Sequence, residues 1–364
     1  MKVYIESAGC YSNLADTNQI REYILFNKGE LVNNPKKADF IIFMSCGFNN
    51  LILQDNFKRL IELKNNKAKI LLGGCIPHIN KEIPSFIDFS FGPREMEKLD
   101  QIFKFKLSIN KFSSQFNVAG RRKVIRISTG CDGACSYCAI KLANGTTKSH
   151  KIKDIRRVIF SGLKEGYSKF LLTSEDVGSW GKDIHKNIVD LIQNLIKIQG
   201  NFKIQITTLN PKWFIKFPQL IDIFKSEKIE KRIYLSLQSG SDRILKLMNR
   251  EYSSSEYFRM FNLLKKKIPS IKIQSDIIIG FPTESKNDFQ KTLNMVNLLD
   301  IHFLQVFAYT AMKNTPAFNF NPKVQFKVIK SRVKKVILDF LKKNKSAKRK
   351  LVNTNIKDFE DIIS

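Results

Sequence analysis

No apolar run in this 364-residue chain approaches the roughly 20 residues that a membrane-spanning helix needs. Residues 2–6 (KVYIE) read as a short strand carrying Glu6, not as the apolar centre of a signal peptide. A membrane partner and secretion are therefore not expected. Acidic residues are scarce, 33 Asp and Glu against 62 Lys and Arg, for a formal net charge of +29. Cysteine is scarcer, six in all, in two groups of three with no fourth cysteine beside either. That excludes an all-cysteine structural zinc site. Free thiols in clusters also argue against disulfides and for a reducing, cytoplasmic setting.

What is present is chain enough for two cores, with 43% hydrophobic residues. Three apolar runs, residues 2–6, 40–45 (FIIFMS) and 69–72 (KILL), alternate with helical spacing over 14–27 and 50–64. This β–α–β–α–β order implies a parallel sheet. Cys10, Cys46 and Cys75 each follow one of the runs, so all three are expected at the carboxyl edge of that sheet, where open α/β sheets place their sites. Asp16 and Thr17 read as caps of the first helix, and Gly29 falls just past its end.

The other three cysteines form the run GCDGACSYC, Cys131, Cys135 and Cys138, after a strand candidate at 123–128. Further strands are expected at 169–173, 202–207, 232–237, 271–279 and 302–308. Helices are expected at 152–165, 188–198, 242–248, 255–267 and 287–299. Six β/α units imply a curved parallel sheet, a partial version of the eight-fold barrel. Three thiolates can hold an iron–sulfur cube and leave one iron open. A zinc site completed by His150 or His185 is the other reading of the tight run.

The charge points to a polyanionic partner, RNA or DNA, or to surface drift in a Lys-, Ile- and Asn-rich chain. Residues 323–364 carry 13 Lys and Arg against 4 Asp and Glu. Ile329, Val333, Val336, Ile337, Phe340 and Leu341 there share one helical face. The basic run 342–350 reads either as an RNA-contacting tail or as a solubilising end.

The run Cys131-x-x-x-Cys135-x-x-Cys138, with Tyr137 before the last cysteine, resembles the signature of radical S-adenosylmethionine enzymes. The segments VYIESAGCYSNLADT, FIIFMSCGFNN, LLGGCIPHIN, LSLQSGSDRILKLMNREYS and SDIIIGFPTESKNDFQKTL resemble, in order, segments of the methylthiotransferase family. The resemblance implies two 4Fe-4S clusters, one on Cys131, Cys135 and Cys138 that binds S-adenosylmethionine, and one on Cys10, Cys46 and Cys75 that carries the sulfur to be transferred. It implies a flavodoxin-like N-terminal domain over residues 1–105, a linker at 106–121, a (β/α)6 core over 122–320, and a basic helical tail at 321–364 in place of the family's small β-barrel, the TRAM domain. Tyr137, Glu175, Asp176, Gln238, Ser239 and Gly280 are its implied cofactor-binding residues. Asn13 and Asp16 resemble family residues after the first cysteine, and His78 beside Cys75 reads as a surface or packing histidine, with tuning of the cluster as the other reading. An electron donor such as flavodoxin or ferredoxin is implied, and tRNA as partner in preference to DNA. The segment LLTSEDVGSWGKDI most resembles the archaeal and eukaryotic branch that acts on N6-threonylcarbamoyladenosine; isopentenyladenosine in tRNA and a ribosomal-protein aspartate are the alternatives. A cluster-bearing RNA-binding protein with impaired catalysis is the reading from another class.

The chain departs from the resemblance in two places. Ala143-Asn144-Gly145 and Ser149-His150 stand where Arg-Gly and Ser-Arg pairs are expected, so two guanidinium groups are missing. Lys148, His150, Arg121, Arg122 and Arg126 are the residues that can stand in. No run of alternating strands follows residue 320.

Overall fold

Strand β3 (Phe40–Ser45) is buried along nearly its whole length, as an all-apolar run between two helical layers must be. In the computed structural model, which describes residues 1–64, 67–80, 82–112, 115–118, 122–343 and 352–354, it is the centre of a five-stranded parallel sheet. Its partners are β1 (Lys2–Ser7), β2 (Glu30–Leu31), β4 (Lys69–Gly74) and β5 (Phe89–Phe91), in the order β2-β1-β3-β4-β5. Helix α1 (Tyr11–Phe26) packs Ile20, Tyr23 and Ile24 on one face, together with α4 (Lys98–Phe103). Helix α2 (Asn50–Leu63) packs Leu60 and Leu63 on the other, beside the single turn α3 (Ile76–Ile79).

Helix α1 begins earlier than its apolar spacing indicates. Cys10 is its N-cap, so Asp16 and Thr17 lie inside the helix and are buried, not at its end. The capping role expected of Asp16 is thereby corrected. The first turns of α1 lie between the carboxyl edge of the sheet, which Asn13 bonds, and the second domain, which Asp16 bonds, and carry polar residues for that reason.

Residues 106–121, expected as a linker, are built into both domains where they are described. Ile109 is fully buried in the first core, and Gln19 donates to the carbonyls of Ile109 and Phe112. Strand β6 (Gln115–Val118) pairs antiparallel with β7 (Arg122–Arg126), the first strand of the second sheet.

That second sheet runs through β7, β10 (Lys169–Thr173), β11 (Lys203–Ile206), β12 (Thr208–Leu209), β13 (Arg232–Leu235), β14 (Lys272–Ile279) and β15 (Phe303–Ala308), all parallel. Between β11 and β12 the Thr207 amide donates to Leu172 and its carbonyl accepts from Tyr234, which keeps the curved sheet continuous. A short antiparallel pair, β8 (Ser128–Thr129) and β9 (Lys148–Ser149), frames the cysteine loop and α5 (Ile140–Asn144). The outer layer is α6 (Ile152–Lys164), α7 (Ile188–Ile196), α8 (Lys212–Lys216), α9 (Leu220–Ile223), α10 (Asp242–Leu247), α11 (Ser254–Lys267) and α12 (Lys286–Leu298). Capping boxes start α7, α11 and α12, at Asn187 with Asp190, Ser253 with Glu256, and Ser285 with Asp288.

The segment after residue 320 is part of this barrel, not an appendage to it. Helix α13 (Phe326–Lys343) buries Ile329, Val333, Val336, Ile337 and Phe340 in the barrel's own core. Arg332 fastens it to Glu284 at 2.6 Å. Strand β16 (Val352–Thr354) then pairs parallel with β15, and among the described residues past 320 no separate small barrel forms. Arg121 and most of the basic run 342–350 lie outside the described residues.

A candidate active site between two cysteine triads

Cys10, Cys46 and Cys75 follow β1, β3 and β4 at one edge of the first sheet. The turns bringing them together leave no room for side chains. A Cβ on Gly9 would stand 3.1 Å from Cys46 Cβ, and one on Gly74 (φ +90) would stand 2.4 Å from the Ser45 carbonyl. Asn13 Nδ2 ties the loops by donating to the Ala8 and Met44 carbonyls at 2.8 and 3.0 Å. Burial pushes the Cys46 thiol up to about 11, with Cys10 adding to the rise. Cys75 is raised further, by burial and then by Cys46 and Cys10. Two buried thiols that resist ionising beside a third cysteine suit a multi-iron cationic centre, whose charge removes that penalty.

The second triad is local. Gly130 (φ +85) turns the chain out of β8, and the Cys131 amide donates to Gly145 at 3.0 Å. A Cβ on Gly133 would meet Cys131 Sγ at 3.2 Å and Cys135 Sγ at 3.9 Å, so both sulfurs close over the same point. Burial raises Cys131 and Cys138 to about 12 each. The end of α10 pins the loop: Ser136 bonds Met248 and Leu247, Asn249 bonds Ala134, and Arg250 Nη1 donates to Cys135 Sγ at 3.2 Å. Arg250 was not singled out from sequence, although it lies in a segment that carries the resemblance; its contact with Cys135 spans 115 residues. Among the described residues no group of three or more His, Cys, Asp or Glu side chains stands close enough to hold a single metal ion.

Inside the barrel mouth, polar atoms are buried without partners: Ser128 Oγ, Ser174 Oγ, Thr207 Oγ1, Gln238 Oε1 and Asp276 Oδ1. They lie on β7–β14 or the turns just after those strands. Unpaired buried polar atoms are costly, and several of them on neighbouring strands and turns fit a polar ligand such as the amino-acid and ribose groups of S-adenosylmethionine. Gln238 also holds a left-handed backbone, φ 63, in a position more often given to glycine.

The remaining sequence-expected residues fall around this mouth. Tyr137 packs edge-on against Phe281 at 6.5 Å. Both Glu175 oxygens are engaged within the protein, by Arg126 at 2.7 Å and the Gly130 amide at 2.9 Å. Asp176 accepts from Trp213 Nε1 at 2.9 Å and is raised by burial against that bond. The Ser239 hydroxyl is fully buried between Thr292 and the Ser241 amide. Gly280 (φ +80) lies under Ile329 and donates to Glu284. His78 pairs with Glu95 at 3.1 Å, away from the sulfurs it follows in sequence.

The two triads face one another. Ile79, Ala139, Ala143 and Met312 form a small apolar contact against Cys75. Asn144 Nδ2 approaches Cys75 Sγ at 3.8 Å. Buried Arg126 joins Asp16 of α1 to Glu175. Arg94, from the first domain, lies over Gly130 and Gly145 and donates to the Thr129 and Thr146 carbonyls. Two guanidinium groups thus flank the turn where the resemblance places its own.

A partial barrel with a Cys-x3-Cys-x2-Cys loop at its mouth defines a radical S-adenosylmethionine enzyme. The profile described as "Radical SAM superfamily" matches residues 125–296, and that described as "Uncharacterized protein family UPF0004" matches residues 2–87. A "Probable threonylcarbamoyladenosine tRNA methylthiotransferase" of Pyrococcus horikoshii is 30% identical over 334 residues, 87% of this chain and 79% of that protein. A "tRNA-2-methylthio-N(6)-dimethylallyladenosine synthase" of Thermodesulfovibrio yellowstonii is 34% identical over 330 residues, 84% and 75% of the two chains. A "Ribosomal protein uS12 methylthiotransferase RimO" of Carboxydothermus hydrogenoformans is 31% identical over 361 residues, 93% and 82%. The chain belongs to the radical S-adenosylmethionine methylthiotransferase family, whose cofactors are S-adenosylmethionine and two 4Fe-4S clusters. In fold it is similar to the radical S-adenosylmethionine methyltransferase TsrM of Kitasatospora setae, with a TM-score of 0.63 at 11% identity, covering 96% of this chain and 90% of that one.

Proposed function

We propose that this chain adds a methylthio group to C2 of N6-threonylcarbamoyladenosine at position 37 of tRNA. The observation that carries the substrate is the segment at residues 171–184, which runs from the end of β10 into the loop after it and resembles the branch acting on that nucleoside. Three further relatives bearing the same printed name, from Pyrococcus abyssi, Archaeoglobus fulgidus and Methanocaldococcus jannaschii, support it at 28–30% identity.

Cys131, Cys135 and Cys138 hold one cluster and Cys10, Cys46 and Cys75 the other. When bound, these groups supply the one-electron chemistry that opens an unactivated C–H bond and the sulfur that replaces the hydrogen. The protein's part is placement. Arg250 donates to Cys135 Sγ and fixes where that sulfur lies. Tyr137 and Phe281 wall an apolar side of the mouth, while Gln238, Ser128 and Ser174 offer unspent hydrogen bonds to the cofactor. Asp176 and Ser239 act through Trp213 and Thr292, fixing the loops after β10 and β13 that carry them. Trp180, fully buried, donates to the His150 carbonyl and helps exclude water.

RNA has a ready surface beside this mouth. Lys153, Arg156, Arg157 and Phe160 of α6 border an open groove of about 560 Å³, completed by Lys186 and Asn194. Helix α6 starts three residues after β9, so its N-terminal end lies at the same edge as the cysteine loop. Clustered cations with an exposed aromatic ring suit phosphates and a stacked base.

The test is nucleoside mass spectrometry of tRNA from a host that makes threonylcarbamoyladenosine, lacks its methylthiotransferase and expresses this chain. Appearance of the 2-methylthio derivative supports the assignment. A methylthiolated isopentenyladenosine, or a modified uS12 aspartate with unchanged tRNA, replaces it with one of the alternatives.

A further inference from the structure

Three side chains from three elements meet out of solvent at the domain junction: Asp16 of α1, Arg126 of β7 and Glu175 after β10. Asp16 belongs to the domain of the first triad, the other two to the barrel of the second. Arg126 is 1% exposed in its side chain, and its two carboxylate partners 6% each. Its Nη1 donates to Asp16. Its Nη2 donates to Glu175 at 2.7 Å and lies 3.4 Å from Asn144 Oδ1.

Through Asn144 and through Glu175, Arg126 is linked to both cysteine sites. On one side Asn144 Nδ2 approaches Cys75 Sγ. On the other, Glu175 takes the amide of Gly130, the residue before Cys131. The contacts therefore run without a break from Cys75 through Asn144, Arg126 and Glu175 to the Cys131 turn. Two carboxylates share one cation, so the arrangement stands only while Arg126 bridges them. A buried ion pair adds little net stability compared with an apolar contact, but it tolerates only one relative placement of its partners. The side chain of residue 144 already reaches the same point, within 3.4 Å of the guanidinium.

We propose that Arg126 is the positioning residue that sets the two cluster-bearing triads in register, supplying from β7 a guanidinium that the turn at residue 144 would otherwise have to provide. The proposal rests on the family assignment and is independent of which substrate is modified.

The test compares wild type, Arg126→Ser, and the double variant Arg126→Ser with Asn144→Arg, each reconstituted anaerobically and counted for iron. Dipolar electron paramagnetic resonance on the reduced proteins reads the distribution of distances between the two clusters. No substrate is present, so failure of the tRNA reading leaves this result untouched. Wild type is expected to give a narrow distribution and Arg126→Ser a broadened one. The double variant, with the guanidinium moved but restored, is expected to return to the narrow one. An Arg126→Ser distribution as narrow as wild type overturns the proposal, as does a fully loaded double variant that stays broad. If Arg126→Ser does not load iron, the double variant decides alone: loaded and narrow supports the proposal, unloaded or broad overturns it.

Discussion

The first cysteine triad is assembled by a whole sheet, the second by a loop. Cys10, Cys46 and Cys75 are drawn from a span of 66 residues and meet only because β1, β3 and β4 lie side by side in register. Cys131, Cys135 and Cys138 lie within eight residues, and a few contacts from the end of α10 are enough to hold them. The first site is thus as stable as its domain's tertiary structure. The second depends on one turn and on Arg250.

The most severe break is Cys135→Ala. It removes a ligand from the site we propose for S-adenosylmethionine, and reductive cleavage to 5′-deoxyadenosine is expected to fall to background. Cys46→Ala separates the two sites: cleavage should persist within a few-fold of wild type while methylthiolated product disappears. Product from Cys46→Ala would remove the sulfur-carrying role from the first triad.

Gly74→Val tests the dependence of the first site on its sheet. A side chain there meets the Ser45 backbone in a left-handed conformation, so the turn into Cys75 must shift. Iron content is expected to fall by about half, with cleavage retained, because the second triad shares none of that backbone.

A smaller effect is a pH dependence seated at one helix start in the barrel. Against the raising effect of burial, hydrogen bonds from Arg243, Ser241 and Ser285 hold the Asp288 carboxyl well below the usual range. A carboxyl lowered in the folded state contributes stability above its unfolded value, near pH 4, and loses it as the pH falls. Asp288 lies at the start of α12, so this acid-sensitive part belongs to the barrel alone. Asp288→Asn should cost about 1–3 kcal/mol at neutral pH and flatten the barrel's loss of stability below about pH 4, read by chemical denaturation. The smallest effect is on the outer surface: changing Lys153, Arg156 and Arg157 to Glu should weaken tRNA binding and reduce its salt dependence, with iron content unchanged.

Much of this was legible because parallel strands buried on both faces must be continuous apolar runs. The run at 40–45 matched β3 residue for residue, and the six β/α units followed the expected order. Short edge strands such as β2 and β5 are too brief to carry a pattern. Helix α13 was legible as amphipathic, but a helical face does not say what it packs on, and its docking on β15 and α12 came only from the structure. The start of α1 was hidden because its first turns meet the other domain. For the site, the cysteines were visible through spacing and resemblance. The Arg126 pairing with Asp16 spans 110 residues and the Arg250 contact with Cys135 spans 115, and neither leaves a local signal.

The proposed division of labour gives each of the two triads its own cluster and its own task. Iron quantitation and S-adenosylmethionine cleavage on two triple variants test it most directly, one with Cys10, Cys46 and Cys75 changed to Ala and one with Cys131, Cys135 and Cys138 changed to Ala. Each is expected to keep about half of the wild-type iron, and only the first to cleave S-adenosylmethionine. Full iron in either variant, or cleavage by the second, would contradict it.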